Sequence, residues 1–189
     1  MQKSLKKTVL VGILSAMAFV LFLFPKFPIL AAFPWLDLDL SDVPALFASV
    51  VLSPISGLLV ALIKNLLHLA VTSTAMIGEL SNFLINGTFV FAVGLLHRYL
   101  FKALDLVHSV AFSLLLGSVF QVIAAVLVNF FLMIPMYSAF VNFSELGGAE
   151  TYILAGVIPF NLIKNVAVSF VTLLLFRLLY RKFHGYLHK

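Results

Sequence analysis

Long apolar runs dominate this sequence and restrict it to one environment. The first run, 8–24 (TVLVGILSAMAFVLFLF), contains no charged residue, and across the chain 63% of residues are hydrophobic while 10% are charged. A helix that spans a bilayer needs about 20 predominantly apolar residues, because in lipid the backbone must satisfy its own hydrogen bonds. The chain is therefore predicted to be an integral membrane protein.

Polar and proline-containing segments divide the chain into six apolar runs, which we assign to a single membrane domain covering residues 1–189. The second run is too short to cross a bilayer alone, and we expect a tight turn at Ser53-Pro54 to join it to the third. The predicted fold class is all-α, a bundle of six transmembrane helices with a long outward-facing loop between helices 1 and 2. The predicted helices are 8–24, 43–53, 54–73, 77–101, 106–136 and 151–180.

The distribution of positive charges predicts how this bundle is oriented. Of twelve Lys and Arg residues, nine fall in the N-terminal segment, the connection between helices 4 and 5, or the C-terminal end. Six spans place these three regions on one side, and the positive-inside rule makes that side cytoplasmic. We therefore expect a multi-pass protein of the cell membrane with both termini in the cytoplasm. The scattered basic residues indicate no nucleic-acid-binding surface.

Two lysines lie where a charge is unfavourable. Lys64 and Lys164, each within the sequence LIKN, fall near the middle of predicted spans, where an ammonium group costs at least about 2.5 kcal/mol. The helical rise of about 1.5 Å per residue places these and other polar side chains between the membrane centre and its outer surface. Because such groups are unfavourable against lipid, we expect them to meet in a cavity open to the outside. The candidate lining residues are Lys64, His68, Glu79, Asn82, Asn129, Asn161 and Lys164.

Simpler roles are alternatives for several of these groups. Asparagine in membrane helices often only bonds a neighbouring helix. Lys64 and Glu79 are candidates for a structural ion pair. For Lys164 a ligand-binding role is favoured, because helices 4 and 6 offer no carboxylate at its depth other than Glu79. His68 is equally compatible with either role.

The loop 25–42 (PKFPILAAFPWLDLDLSD) is more than a connector. It is too apolar for a solvated loop and too interrupted by proline for a helix. Residues 36–40 alternate leucine and aspartate, which is typical of an extended segment with the leucines on one face. We expect the leucines to cover the cavity, the aspartates to face water, and Ser41 or Asp42 to cap helix 2. An interfacial loop packed on the bundle is the alternative.

Several kinds of chemistry are absent from the sequence. It contains neither the GxxxxGK[ST] phosphate-binding motif nor HExxH, and it has no cysteine. An intramembrane hydrolase would have Ser81 and His68 as its only candidate pair, without a glycine-rich oxyanion site beside the serine. We therefore predict that the protein is not an enzyme and uses no cofactor or metal. A cavity rich in amide and aromatic groups suits a flat, largely uncharged solute.

Four segments together resemble the riboflavin-specific S components of bacterial energy-coupling factor (ECF) transporters. They are LDLDLSDVPAL (36–46), LIKNLLHL (62–69), GELSNFLINGTFV (78–90) and AGVIPFNLIKN (155–165). The resemblance covers nearly the whole chain, and the four segments occur in the expected order. It implies a high-affinity riboflavin-binding subunit of the bacterial cell membrane, whose partners are a transmembrane coupling protein and two cytoplasmic ATPases.

The resemblance also implies roles for particular residues. Flavin carbonyl and imide groups would face Asn129, Asn161 and Lys164. The ribityl hydroxyls would face Glu79, Asn82, Lys64 or His68, and the loop would close over the site through Leu38, Leu40 and Asp42. Gly12 and Ala16 take the place of a small-residue motif that contacts the coupling protein. The alternatives are an S component for a different vitamin, a stand-alone secondary transporter, and the hydrolase considered above.

Overall fold

A computed structural model describes residues 2–72, 76–138, 142–145 and 147–187, and within these ranges the chain forms six helices. Four helices are long and apolar enough to span a membrane, and two are shorter, which confirms the predicted all-α fold class. The helices are α1 (Gln2–Leu23), α2 (Asp42–Val51), α3 (Pro54–His68), α4 (Ile77–Leu100), α5 (Leu106–Tyr137) and α6 (148–187). The third helix was predicted to reach residue 73 but ends at His68, where the chain turns.

The short helices α2 and α3 form a tight helical hairpin. Ser53 caps α3, since its side-chain oxygen accepts a hydrogen bond from the Ser56 amide at 3.2 Å, and Pro54 occupies the first helical turn. Gly57 brings α3 against α2, because a Cβ atom at this position would lie 2.5 Å from the Ser49 Cβ. Neither of these two short helices is long enough to span a bilayer alone, and the close approach packs them against each other.

Gly57→Ala is expected to lower the melting temperature of the detergent-purified protein, at a cost of about 1–3 kcal/mol from overpacking. The added methyl group would also lie 2.7 Å from the Ala45 carbonyl oxygen, which belongs to the backbone and cannot rotate away. Gly12→Ala is the matched control, because nothing lies within 4 Å of a Cβ atom there. Equal melting temperatures for the two variants would contradict the close packing of α2 on α3.

Helix α4 lies at the centre of the bundle, in contact with α2, α3 and α5. Its Phe89, Val90 and Val93 are buried in the main apolar core together with residues of α1, α2, α5 and α6. Apolar side chains that point away from this core, such as Leu115 and Val166, are exposed on the outside of the bundle. Such an outer surface is appropriate for lipid.

The segment 25–41 between α1 and α2, which we call the capping loop, contains a short antiparallel ribbon. Its strands are β1 (Phe27–Pro28) and β2 (Asp37–Leu38), with Phe27 opposite Leu38. The expectation that the aspartates face water is wrong for Asp39, which is 2% exposed. The loop therefore turns a charged side chain into the bundle, where it needs a partner.

Three of the long helices contain a π-helical turn near one end. The turn of α4 (Leu96–Leu100) does not line the cavity, whereas those of α5 and α6 do. In α5 the turn covers Asn129–Met133, and in α6 it covers Tyr152–Val157. π-helical turns are rare overall, but those that occur often lie at functional sites. The turns of α5 and α6 contact each other, and both contribute to the cavity described next.

Candidate solute-binding cavity

A cavity of about 410 Å³ lies beneath the capping loop, lined by the end of α1 and by residues of α3, α4, α5 and α6. Six of the predicted binding residues line it: His68, Glu79, Asn82, Asn129, Asn161 and Lys164. Four do not, namely Leu38, Leu40, Asp42 and Lys64. Leu40 instead packs against the apolar core, and Leu38 belongs to the ribbon.

Charged side chains form a buried network at the wall of the cavity, where Asp39 and Lys164 line it and Asp42 and Lys64 lie behind them. Lys64 donates hydrogen bonds to Asp42 Oδ1 at 2.5 Å and to Ser41 Oγ at 2.6 Å. Lys164 Nζ lies 2.9 Å from Asp39 Oδ2 and 3.5 Å from Asp42 Oδ2. Asp42 therefore lies between two lysines, and all four charged groups are almost fully buried.

This network corrects three expectations. Lys64 pairs with Asp42 and not with Glu79, and Lys164 finds its carboxylates in the capping loop and at the start of α2. Ser41 precedes α2 as predicted, but its side chain makes no capping hydrogen bond and instead accepts from Lys64. The capping loop and the first turn of α2 thus supply the partners of both membrane lysines.

The network keeps Asp39 ionised. Burial by itself raises the pKa of this carboxyl group, but the ammonium groups of Lys164 and Lys64 and a hydrogen bond from Ser41 outweigh it and lower the pKa to about 2. A carboxylate that stays charged in a buried site holds its ammonium partner firmly. The capping loop is therefore fixed to α6 by an ionic contact next to the cavity.

A second polar group lines the cavity where α1, α3 and α4 meet. His68 Nδ1 lies 2.7 Å from Glu79 Oε1, and its Nε2 lies 3.4 Å from Lys26 Nζ. Because an ammonium group can only donate, Nε2 accepts from Lys26 and the Nδ1–H group donates to Glu79. Phe22 stacks on the imidazole with 4.1 Å between ring centroids. This arrangement presents donors and acceptors beside an aromatic face.

The asparagines leave part of their hydrogen-bonding capacity for a ligand. Asn129 and Asn161 each donate one amide hydrogen to the carbonyl four residues earlier, at 2.8 Å, which leaves the second amide hydrogen available. Among the residues that the structure describes, the buried side-chain oxygen of Asn82 has no hydrogen-bond partner. An unsatisfied buried polar group is unfavourable, so these groups favour a solute with complementary edges.

Aromatic residues contribute to the wall, as the sequence predicted in general, but the individual residues were not identified from it. Phe22, Trp35, Tyr137, Tyr152 and Phe160 all line the cavity. In a chain with 20 Phe and five Tyr, an aromatic residue carries no distinguishing signal. Trp35 was the exception that could have been singled out, because it is the sole tryptophan and lies in the capping loop.

The predicted docking residues lie elsewhere, on α1. Gly12 and Ala16 are both exposed and, four residues apart, share one face of the helix. Within the described part of the chain, nothing lies within 4 Å of the position that a Cβ atom would take at Gly12. This face is therefore open to lipid or to another membrane helix.

The fold and the cavity together define a helical membrane protein that encloses a polar cavity large enough for a small solute. Residues 6–176 match the family described as the substrate-specific component of the ECF transporter, and the chain belongs to that family. It is thus a component of a membrane transport system and not an enzyme.

Individual relatives support this assignment along nearly the whole chain. The chain is 36% identical over 174 residues to the riboflavin transporter RibU of Staphylococcus aureus (strain TCH60), covering 91% of this chain and 89% of that protein. It is 34% identical over 176 residues to the riboflavin transporter FmnP of Bacillus subtilis (strain 168), covering 90% of each. A solved S component of a bacterial ECF transporter superposes with a TM-score of 0.78 at 33% identity over 100% of both chains.

Proposed function

We propose that this chain is the riboflavin-binding component of an ATP-driven vitamin importer and captures riboflavin from outside the cell. The observation that carries the proposal is a cavity in which amide, ammonium and carboxylate groups meet aromatic side chains. A volume of about 410 Å³ falls in the range typical of small-ligand sites. Curated relatives with similarity over about nine-tenths of the chain are named riboflavin transporters, which supports riboflavin over another vitamin.

The wall suits the two chemical halves of riboflavin. The flat isoalloxazine ring would lie among the aromatic side chains, with its carbonyl and imide groups facing Asn129, Asn161 and Lys164. The hydroxylated ribityl chain would face Asn82 and the His68–Glu79 pair. The other predicted residues, Leu38, Leu40, Asp42 and Lys64, would not contact the flavin directly, because they do not line the cavity. Their part is to hold the capping loop.

An absorption spectrum of the detergent-purified protein tests the proposal. Protein from cells grown with riboflavin should be yellow, and denaturation should release free flavin. Competition among riboflavin, pantothenate, folate and thiamine should then show displacement by the flavin alone. A colourless protein that does not bind flavin at micromolar concentration would contradict the proposal.

We propose that energy comes from partners, because the sequence lacks the phosphate-binding motif of P-loop ATPases. These partners would be a transmembrane coupling protein and two cytoplasmic ATPases. Both termini would then lie in the cytoplasm, with the capping loop outside. Uptake by the chain reconstituted alone with an ion gradient would instead favour a secondary transporter.

The double variant Gly12→Leu, Ala16→Leu is expected to abolish riboflavin uptake by the complete transport module while flavin affinity stays within about twofold. The added side chains would prevent close approach of a partner helix, whereas the cavity lies away from this face. Uptake of radiolabelled riboflavin, measured beside binding to the purified variant, separates the two effects. Leu10→Phe, which adds bulk at an exposed position on the other side of α1, is the control and should transport normally. Normal uptake by the double variant would place the docking surface elsewhere.

A further inference from the structure

The π-helical turns of α5 and α6 meet through a pair of side chains. Asn129 is the first residue of the turn in α5, and Tyr152 is the first residue of the turn in α6. The Tyr152 hydroxyl donates a hydrogen bond to Asn129 Oδ1 at 3.3 Å, and both side chains are buried while lining the cavity. This hydrogen bond fixes the side chains of Asn129 and Tyr152 relative to each other.

The Asn129 amide is held at both ends. Its Nδ2 donates to the Ala125 carbonyl at 2.8 Å, while its Oδ1 accepts from Tyr152. The opposite amide orientation would turn Oδ1 toward the Ala125 carbonyl, where two acceptors would repel each other. One amide hydrogen and one oxygen lone pair remain, and the two existing contacts determine where these groups point.

The hydroxyl that performs this task is itself fixed by aromatic packing. The Tyr152 ring packs against Phe33 at 5.4 Å, Phe143 at 5.3 Å and Trp35 at 6.2 Å between centroids. The Trp35 indole nitrogen also lies 3.5 Å from the Tyr152 hydroxyl oxygen. Gly156 allows Phe33 to lie on the α6 backbone, since a Cβ atom there would be 2.9 Å from the ring. Two capping-loop residues therefore contribute to the position of the hydroxyl.

We infer that Tyr152 is a positioning residue that fixes the Asn129 amide for recognition of the flavin imide edge and links it to Trp35 of the capping loop. This inference rests on the proposed function. Tyr152 acts through Asn129 and needs no contact of its own with the imide group. Its removal should therefore reduce selectivity at that edge and not only overall affinity.

Tyr152→Phe tests the inference, because it keeps the ring and deletes the hydroxyl. The variant and the wild-type protein are titrated with riboflavin and with N3-methylriboflavin, in which a methyl group replaces the imide hydrogen. We expect riboflavin to bind about tenfold more weakly to the variant, while the affinity for the N3-methyl analogue changes by less than about twofold. The preference for riboflavin should thus shrink about fivefold or more. Quenching of Trp35, the only tryptophan, provides the signal.

A double-mutant cycle with Asn129→Ala examines whether Tyr152 acts through Asn129. In the Asn129→Ala background, Tyr152→Phe should have no further effect on riboflavin affinity. Tyr99→Phe is the matched control, since its exposed hydroxyl lies at the other end of α4, away from the cavity wall, and should change neither affinity. Melting temperatures establish that each variant is folded. Trp35→Phe provides a second variant, measured by flavin fluorescence, and should shift the selectivity between the two ligands in the same direction.

Three results would overturn the inference while leaving the proposed function intact. The first is an equal loss for both ligands in Tyr152→Phe, because wall packing alone would produce it. The second is an unchanged affinity for both ligands, and the third is additive effects of the two substitutions. A wild-type protein that binds neither flavin would instead overturn the proposed function itself.

Discussion

Lys164→Ala is expected to weaken riboflavin binding at least about tenfold, equivalent to about 1.4 kcal/mol. Lys164 lines the cavity, and its ammonium group also pairs with Asp39 at 2.9 Å. The substitution therefore removes a cation from the wall and leaves the buried Asp39 carboxylate with a weaker set of partners. Titration of the purified variant with riboflavin measures the loss, and Lys102→Ala, exposed between α4 and α5, is the control. Wild-type affinity in Lys164→Ala would remove this residue from the site.

A second substitution separates the two effects of Lys164. Asp39→Asn removes the charge that Lys164→Met would leave unpaired. If Lys164 contacts the flavin, the double variant should bind as weakly as Lys164→Met. If Lys164 matters only because it holds the capping loop, the double variant should recover to within about twofold of the Asp39→Asn variant. We expect the first outcome, because Lys164 lines the cavity.

The helical part of the site could be predicted because depth follows from sequence position in a membrane helix. Glu79 and Asn82 are three residues apart and so share a face, and Asn161 and Lys164 show the same spacing. Polar side chains avoid lipid, so the only consistent arrangement turns both faces inward. The structure places all four on one cavity wall. The number and type of the helices followed from the same hydropathy argument.

The capping loop could not be predicted in the same way. Asp39 and Asp42 lie in or next to an irregular segment, where no helical rise converts sequence position into depth. These carboxylates can be buried because they pair with Lys64 and Lys164, and both lysines are distant from them in sequence. Helices 4 and 6 offer Lys164 no carboxylate at its depth other than Glu79, which favoured a ligand role, but its partner Asp39 lies in the capping loop. Tyr152 was missed because its role appears only when α5 and α6 are seen to meet.

The position of Asp42 between two lysines predicts a large loss of stability for Asp42→Ala, of about 3–5 kcal/mol. Lys64 is fully buried, and Asp42 supplies its carboxylate at 2.5 Å. Without Asp42, two buried ammonium groups would depend on Asp39 alone, and like charges in a low-dielectric environment repel strongly. Loss of folded protein on heating in detergent, followed by Trp35 fluorescence, measures the effect. Asp37→Ala, a half-buried ribbon residue, should cost about 1 kcal/mol or less.

Rescue distinguishes charge from shape as the cause. Lys64→Met in the Asp42→Ala background removes the unpaired ammonium group and keeps a long apolar side chain, so at least about half of the lost stability should return. Asp42 also lies in the first turn of α2, where a carboxylate interacts favourably with the helix dipole, but that effect is about 0.3–1 kcal/mol and is not restored by changing Lys64. A double variant as unstable as Asp42→Ala would therefore show that the buried lysine is not the source of the loss, and that the ionic network does not hold the capping loop on the bundle.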